Sequence, residues 1–134
     1  VQKDVAITHC FGFDHGKQGD PMTLLQSITQ SAADPVESRP DPSKVIAGDP
    51  VFTSWDIEDR DGIYAGIWQA TPGVWKVSYD EWEYCRILAG HSILRGDDGS
   101  EKTVKAGDSF IIRPGFSGTW DVVETTVKDY VIKV

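Results

Sequence analysis

The stretch Gly107-Asp108-Ser109-Phe110-Ile111-Ile112-Arg113-Pro114-Gly115-Phe116-Ser117-Gly118-Thr119-Trp120 decides the fold. Ala106-Gly107-Asp108 and Pro114-Gly115 are turn signals. Between them Ser109–Arg113 reads as a short strand, and Gly118–Val122 reads as the next one.

The same pattern continues outward from this span. Val51–Ile57, Ile63–Thr71, Trp75–Tyr79, Trp82–Leu88, His91–Arg95, Lys102–Lys105 and Val127–Val134 are rich in Val, Ile, Trp, Tyr and Phe. Asp61-Gly62, Pro72-Gly73 and Asp97-Asp98-Gly99 punctuate them. Many short strands at this spacing predict an all-β sandwich or barrel over residues 51–134. Residues 1–50 differ. Val5–Phe11 reads as a strand, Asp20-Pro21 as a helix start, and Met22–Gln30 as a short helix. Pro35, Pro40, Pro42 and Pro50 mark an extended, turning segment, with a helical turn expected over Asp41–Ile46. These residues form an irregular N-terminal extension, expected to pack on the barrel or on a partner chain in a homodimer.

A chain of 134 residues suits one domain with one core. Its net charge of −8 disfavours binding to a phosphate backbone or an anionic membrane. No apolar run approaches the ~20 residues of a membrane span. Val1-Gln2-Lys3-Asp4 lacks the apolar region of a secretory signal. The expectation is a cytoplasmic protein in which Cys10 and Cys85 are reduced thiols, with a small molecule as partner.

Strand periodicity assigns the faces. Glu83, Cys85 and Ile87 share one face of their strand, and Trp82, Tyr84, Arg86 and Leu88 share the other. In the last strand Lys128, Tyr130 and Ile132 share a face. Acidic, thiol, cationic and phenolic groups among apolar ones suit the polar interior of a barrel better than a plain core.

With those residues in view, the chain resembles the cupin superfamily. Glu83 to Gly90 is similar to the E-x6-G end of the first cupin motif. Gly107 to Trp120 is similar to the second, G-D-x4-P-x-G-x2-H. Within the superfamily it resembles ureidoglycine aminohydrolase-like and ethanolamine-utilisation-type cupins. Their E-x-C-x-I-L-x-G strand is matched by Glu83, Cys85, Ile87, Leu88 and Gly90. Their G-F-x-G-T-W is matched by Gly115, Phe116, Gly118, Thr119 and Trp120, and their K-x-Y by Lys128 and Tyr130. The resemblance covers roughly residues 40–134. It implies a single-domain cupin (RmlC-like) β-barrel or jelly roll, and it implies no one activity.

The departures bear on cofactor. By the family's spacing the two H-x-H ligand positions fall on Lys76 and Ser78, and the second-motif His falls on Gly118. Of the expected ligand set only Glu83 remains. One carboxylate and one thiol make a poor transition-metal site, so no metal or other cofactor is expected. A metal held by Glu83, Cys85 and an N-terminal His is the outlying alternative.

Glu83, Lys128 and Tyr130 are the candidate catalytic residues. A carboxylate inside a barrel must be paired or protonated, and Lys76 or Lys128 is the partner expected for Glu83. Glu83 is then an acid, a base or a substrate anchor, or else half of a structural ion pair. Lys128 and Tyr130 would orient a polar ligand or stabilise developing negative charge. Lys76, Ser78, Cys85, Trp75 and Trp120 are the candidate binding residues. For Cys85 and Trp120, burial in the core is the competing reading. Two functions stand open, with enzyme status undecided. One is a metal-independent hydrolase, isomerase or lyase acting on a small polar metabolite. The other is a non-catalytic ligand-sensing or structural module. An open interior favours the first, and an interior plugged by Trp and Ile favours the second.

Overall fold

The computed structural model describes residues 23–134. The strands are β1 (Val36–Ser38), β2 (Val45–Gly48), β3 (Phe52–Arg60), β4 (Ile63–Ala70), β5 (Gly73–Ser78), β6 (Trp82–Gly96), β7 (Glu101–Lys105), β8 (Ser109–Ile112) and β9 (Ser117–Lys133). All nine join one antiparallel sheet, with β1-β3-β4-β9-β5-β2 as its path. β6 pairs with β7, β8 and β9 off that path. The sheet curls into a cupin β-barrel, because β6 and β9 are long enough to pair differently along their two halves. The first half of β6 lies between β8 and the end of β9. The second half lies between β7 and the start of β9.

Two pairs of short strands expected from the sequence are therefore single long ones. Trp82–Leu88 and His91–Arg95 merge in β6, and Gly118–Val122 and Val127–Val134 merge in β9. The break that separates each pair is a bend in the strand. On β6 it centres on Gly90, whose φ is 90°. A side chain there would run into the Thr125 carbonyl of β9. The ladder register shifts on either side of that point, as expected where bulges turn a strand from one sheet face to another.

Turn chemistry sets the other corners. Asp61 and Gly62 both have positive φ, 54° and 78°, so β3 and β4 meet in a type I′ hairpin. Asp41 caps the 3-10 turn Pro42–Lys44 by accepting from the Ser43 amide at 2.9 Å. The short helix expected over Met22–Gln30 is not formed over residues 23–29, where Leu24 and Leu25 are exposed and no packed apolar face supports one. A 3-10 turn follows instead at Gln30–Ala32. The barrel also begins earlier than residue 51. β1 pairs with β3 and β2 pairs with β5, so both are strands of the barrel sheet. The strand read over Val5–Phe11, the Asp20-Pro21 helix start and Cys10 lie outside the described residues.

The core is aromatic. Phe52, Trp68, Trp75 and Trp120 are at most 1% exposed. Their ring centroids lie 4.9–6.4 Å apart, a range in which tilted and edge-on pairs add to burial. Cys85, Ile87, Val104, Ile112, Val122, Tyr130 and Ile132 complete the buried set around them.

Candidate functional site

Inward-facing alternation on β4, β6 and β9 converges on Lys128. In the ladders Lys128 lies opposite Trp68 of β4 and Ile87 of β6. Its Nζ donates to Glu83 Oε2 at 2.8 Å, and both side chains are 0% exposed. The same ammonium lies 3.6 Å from Cys85 Sγ. It also sits 4.7 Å from the Trp68 ring centroid and 4.6 Å from that of Trp120. A desolvated cation gains from such ring faces as well as from its carboxylate.

Burial works against the Lys128 ammonium, but the hydrogen bonds to Glu83 and Cys85, and the negative charge that each carries when ionised, outweigh it. The group titrates above the ordinary lysine value. Burial pushes the Cys85 thiol well above its ordinary value, and the Glu83 charge adds to this. Cys85 is therefore a protonated, free thiol at neutral pH, and the ion pair of Lys128 is with Glu83. A buried thiol of this kind is a poor nucleophile.

Tyr130 belongs to a neighbouring row. Asp56 of β3, Gly66 of β4 and Tyr130 of β9 lie side by side across three strands. Gly66 leaves room between the other two. A Cβ there would overlap the Trp55 carbonyl and come within 3.0 Å of the Tyr130 hydroxyl. The Tyr130 hydroxyl reaches over it and donates to Asp56 Oδ1 at 3.0 Å. A second buried polar pair, Ser92 and Thr126, closes at 2.6 Å where β6 and β9 bend.

The structure thus brings together Glu83, Lys128, Cys85 and Trp120, with Tyr130 beside Cys85 in the ladder and Trp75 stacked on Trp120. It does not bring Lys76 or Ser78 to this cluster. On β5 the inward residues are Trp75 and Val77, with Tyr79 buried just beyond its end, while Lys76 is exposed and Ser78 half-buried. Counting back from Glu83 by the motif spacing lands one residue out of phase, which in a strand exchanges the faces. Lys128, not Lys76, is the partner of Glu83. Sequence reading missed Asp56 and Trp68. The signal for Asp56 was present, since Phe52, Ser54 and Asp56 alternate on one face of β3.

The residues at the family's metal position do not fit a metal. Gly118 stands where the second-motif His would be, and a Cβ there would strike the Arg95 carbonyl. The Lys128 ammonium lies against the remaining ligand, Glu83. Among the described residues no three His, Cys, Asp or Glu side chains group as a ligand set.

An antiparallel barrel with Glu83 and the closing Lys128 and Tyr130 on its inner face defines a cupin-superfamily domain. More narrowly, the chain belongs to the EutQ-like cupin domain family, whose sequence model matches residues 57–130. Among solved structures, it is similar to a protein of unknown function of the DUF861 family from Pseudomonas syringae pv. tomato. That similarity has 24% identity and a TM-score of 0.70 over 79% of this chain, which spans 46% of that protein's length. It is also similar to the Clostridium difficile EutQ protein, with 14% identity and a TM-score of 0.61 over 81% of this chain and 80% of that one. For a protein from Salmonella typhimurium described as a putative ethanolamine utilization protein, the values are 19% and 0.57 over 75% and 96%. Comparison with curated protein sequences returned no match.

Proposed function

We propose that this chain is a non-catalytic cupin module whose Glu83–Lys128 pair is structural. The observation that carries this reading is the enclosure of the Lys128 ammonium. A carboxylate, a thiol and two indole rings surround it, and both charged side chains are at 0% exposure. A reacting group must be reached by substrate. This one is walled off by the side chains that would have to serve it. Inside such a barrel the pair ties β6 to β9 and fixes their register, because a slip would leave a charge buried alone.

A second reading, a polar ligand inside the barrel, draws on one observation. Glu83 Oε1, Trp75 Nε1 and Trp120 Nε1 are buried and have no hydrogen-bond partner among the described residues. One acceptor and two donors in the same aromatic nest would suit a small polar molecule admitted by opening of the wall.

Urea unfolding of variants separates the two. Lys128→Met and Glu83→Gln each leave the other group buried without its partner, and each is expected to cost about 3–5 kcal/mol. The double variant Glu83→Leu/Lys128→Met is expected to recover most of that loss. If either single variant is as stable as the parent, the pair is not structural and the ligand reading replaces this one, since functional groups are commonly kept at a cost in stability.

A further inference from the structure

β7 and β8 each pair only with β6 and not with each other, so the barrel has a seam between them. A cleft of about 410 Å3 opens along it. That volume is within the range of small-molecule sites, roughly 300–1,000 Å3. Its apolar lining includes Leu94, Ile112, Phe110 and Phe116. Leu94 and Ile112 are core residues, 6% and 5% exposed, so the cleft reaches the inner layer of the barrel. Phe110 packs against Trp120 with ring centroids 6.4 Å apart, and Trp120 in turn covers Lys128.

The polar lining is unevenly committed. The Glu101 carboxylate accepts from Arg95 at 3.2 Å, and the Ser100 hydroxyl donates to Asp98 at 2.6 Å. Lys102 and Arg113 also line the cleft. Neither side chain makes an ion pair or hydrogen bond among the described residues, whereas the side chains of Arg39, Arg86, Arg95 and Lys105 are all paired with acids. In a chain of net charge −8, two uncommitted cations beside two phenyl rings form a local site of opposite sign. A guanidinium is matched in shape to a carboxylate, and the apolar floor asks for an apolar body on the same molecule.

We propose that the cleft between β7 and β8 binds a small organic carboxylate with an aromatic body, its carboxylate held by Arg113 and Lys102 and its ring against Phe110 and Phe116. The site lies outside the Glu83–Lys128 cluster and goes beyond the structural reading of that cluster. Neither proposal falls with the other.

The full chain, labelled with 15N, is titrated with 3-phenylpropanoate, with the uncharged 3-phenylpropanol and with acetate. The aromatic acid is expected to give saturable amide shifts concentrated on Glu101–Lys102 and Phe110–Phe116. The alcohol and acetate should each bind at least roughly tenfold more weakly, one lacking the charge and the other the body. Lys102→Gln/Arg113→Gln alters two exposed side chains. It should keep the parent's unliganded spectrum and melting temperature and weaken the aromatic acid at least roughly tenfold. The proposal is overturned by an absence of saturable shifts at millimolar aromatic acid. It is also overturned by shifts mapping elsewhere, by equal binding of acid and alcohol, or by undiminished binding to the double variant.

Discussion

Lys128 shows how far one residue's behaviour depends on its enclosure. In water its charge would need no partner. At 0% exposure it is held by Glu83 at 2.8 Å and by two indole faces. Cys85 beside it stays protonated for the same reason, the exclusion of water. Both groups have folded-state pKa values above their unfolded ones. Their contributions are therefore complete below the unfolded values and are lost as pH rises through the folded ones. Stability measured by urea unfolding is expected to hold through neutral pH and to decline above about pH 8.5, where an unfolded cysteine ionises. It should decline more steeply above about pH 10.4, where an unfolded lysine loses its proton. Cys85→Ala is expected to remove the first decline and leave the second. An unchanged profile in that variant would show that the Cys85 thiol is not desolvated.

At the scale of elements, β6 and β9 do most to define the barrel, because each serves two parts of the sheet. The turn between the halves of β6 rests on Gly90. Its φ of 90° is open to glycine and strained for other residues, and the Thr125 carbonyl occupies the place of a side chain. Gly90→Ala is therefore expected to cost about 3 kcal/mol or more, since a strained dihedral alone costs about 1–3 kcal/mol and here β9 must also move. A urea midpoint unchanged from the parent would show that the bend does not depend on this residue. The alternation of β6 and β9 was legible in the sequence, and it put Glu83, Cys85, Lys128 and Tyr130 on inner faces. The phase of β5 was not legible. It depends on how many residues the turn before Glu83 consumes, and that placed Lys76 and Ser78 outside and Trp75 and Val77 inside.

At the scale of the whole molecule, the described residues at the family's metal position do not fit a metal. Gly118 cannot carry a ligand without displacing β6, and an ammonium already neutralises Glu83. Purified protein dialysed against buffer is expected to hold no stoichiometric transition metal by elemental analysis. A bound equivalent surviving dialysis would mean that donors beyond this cluster make a site.

The sequence by itself determined the β-rich stretches from residue 51 onward, most of the turns between them and the polar groups on the inner faces of β6 and β9. These follow from local rules: β-branched and aromatic runs, glycine at positive φ, and a side-chain period of two. It also showed that the usual imidazole ligands are missing, which is a matter of residue identity. Only the tertiary structure decided that Lys128 and not Lys76 neutralises Glu83, that Gly66 gives Tyr130 its path to Asp56, and that two indole rings close over the Lys128 ammonium. Those outcomes depend on which residues lie opposite one another across the ladders. The cleft between β7 and β8 depends on the same geometry, since it exists because two edge strands that follow each other in the chain diverge around a bend in β6.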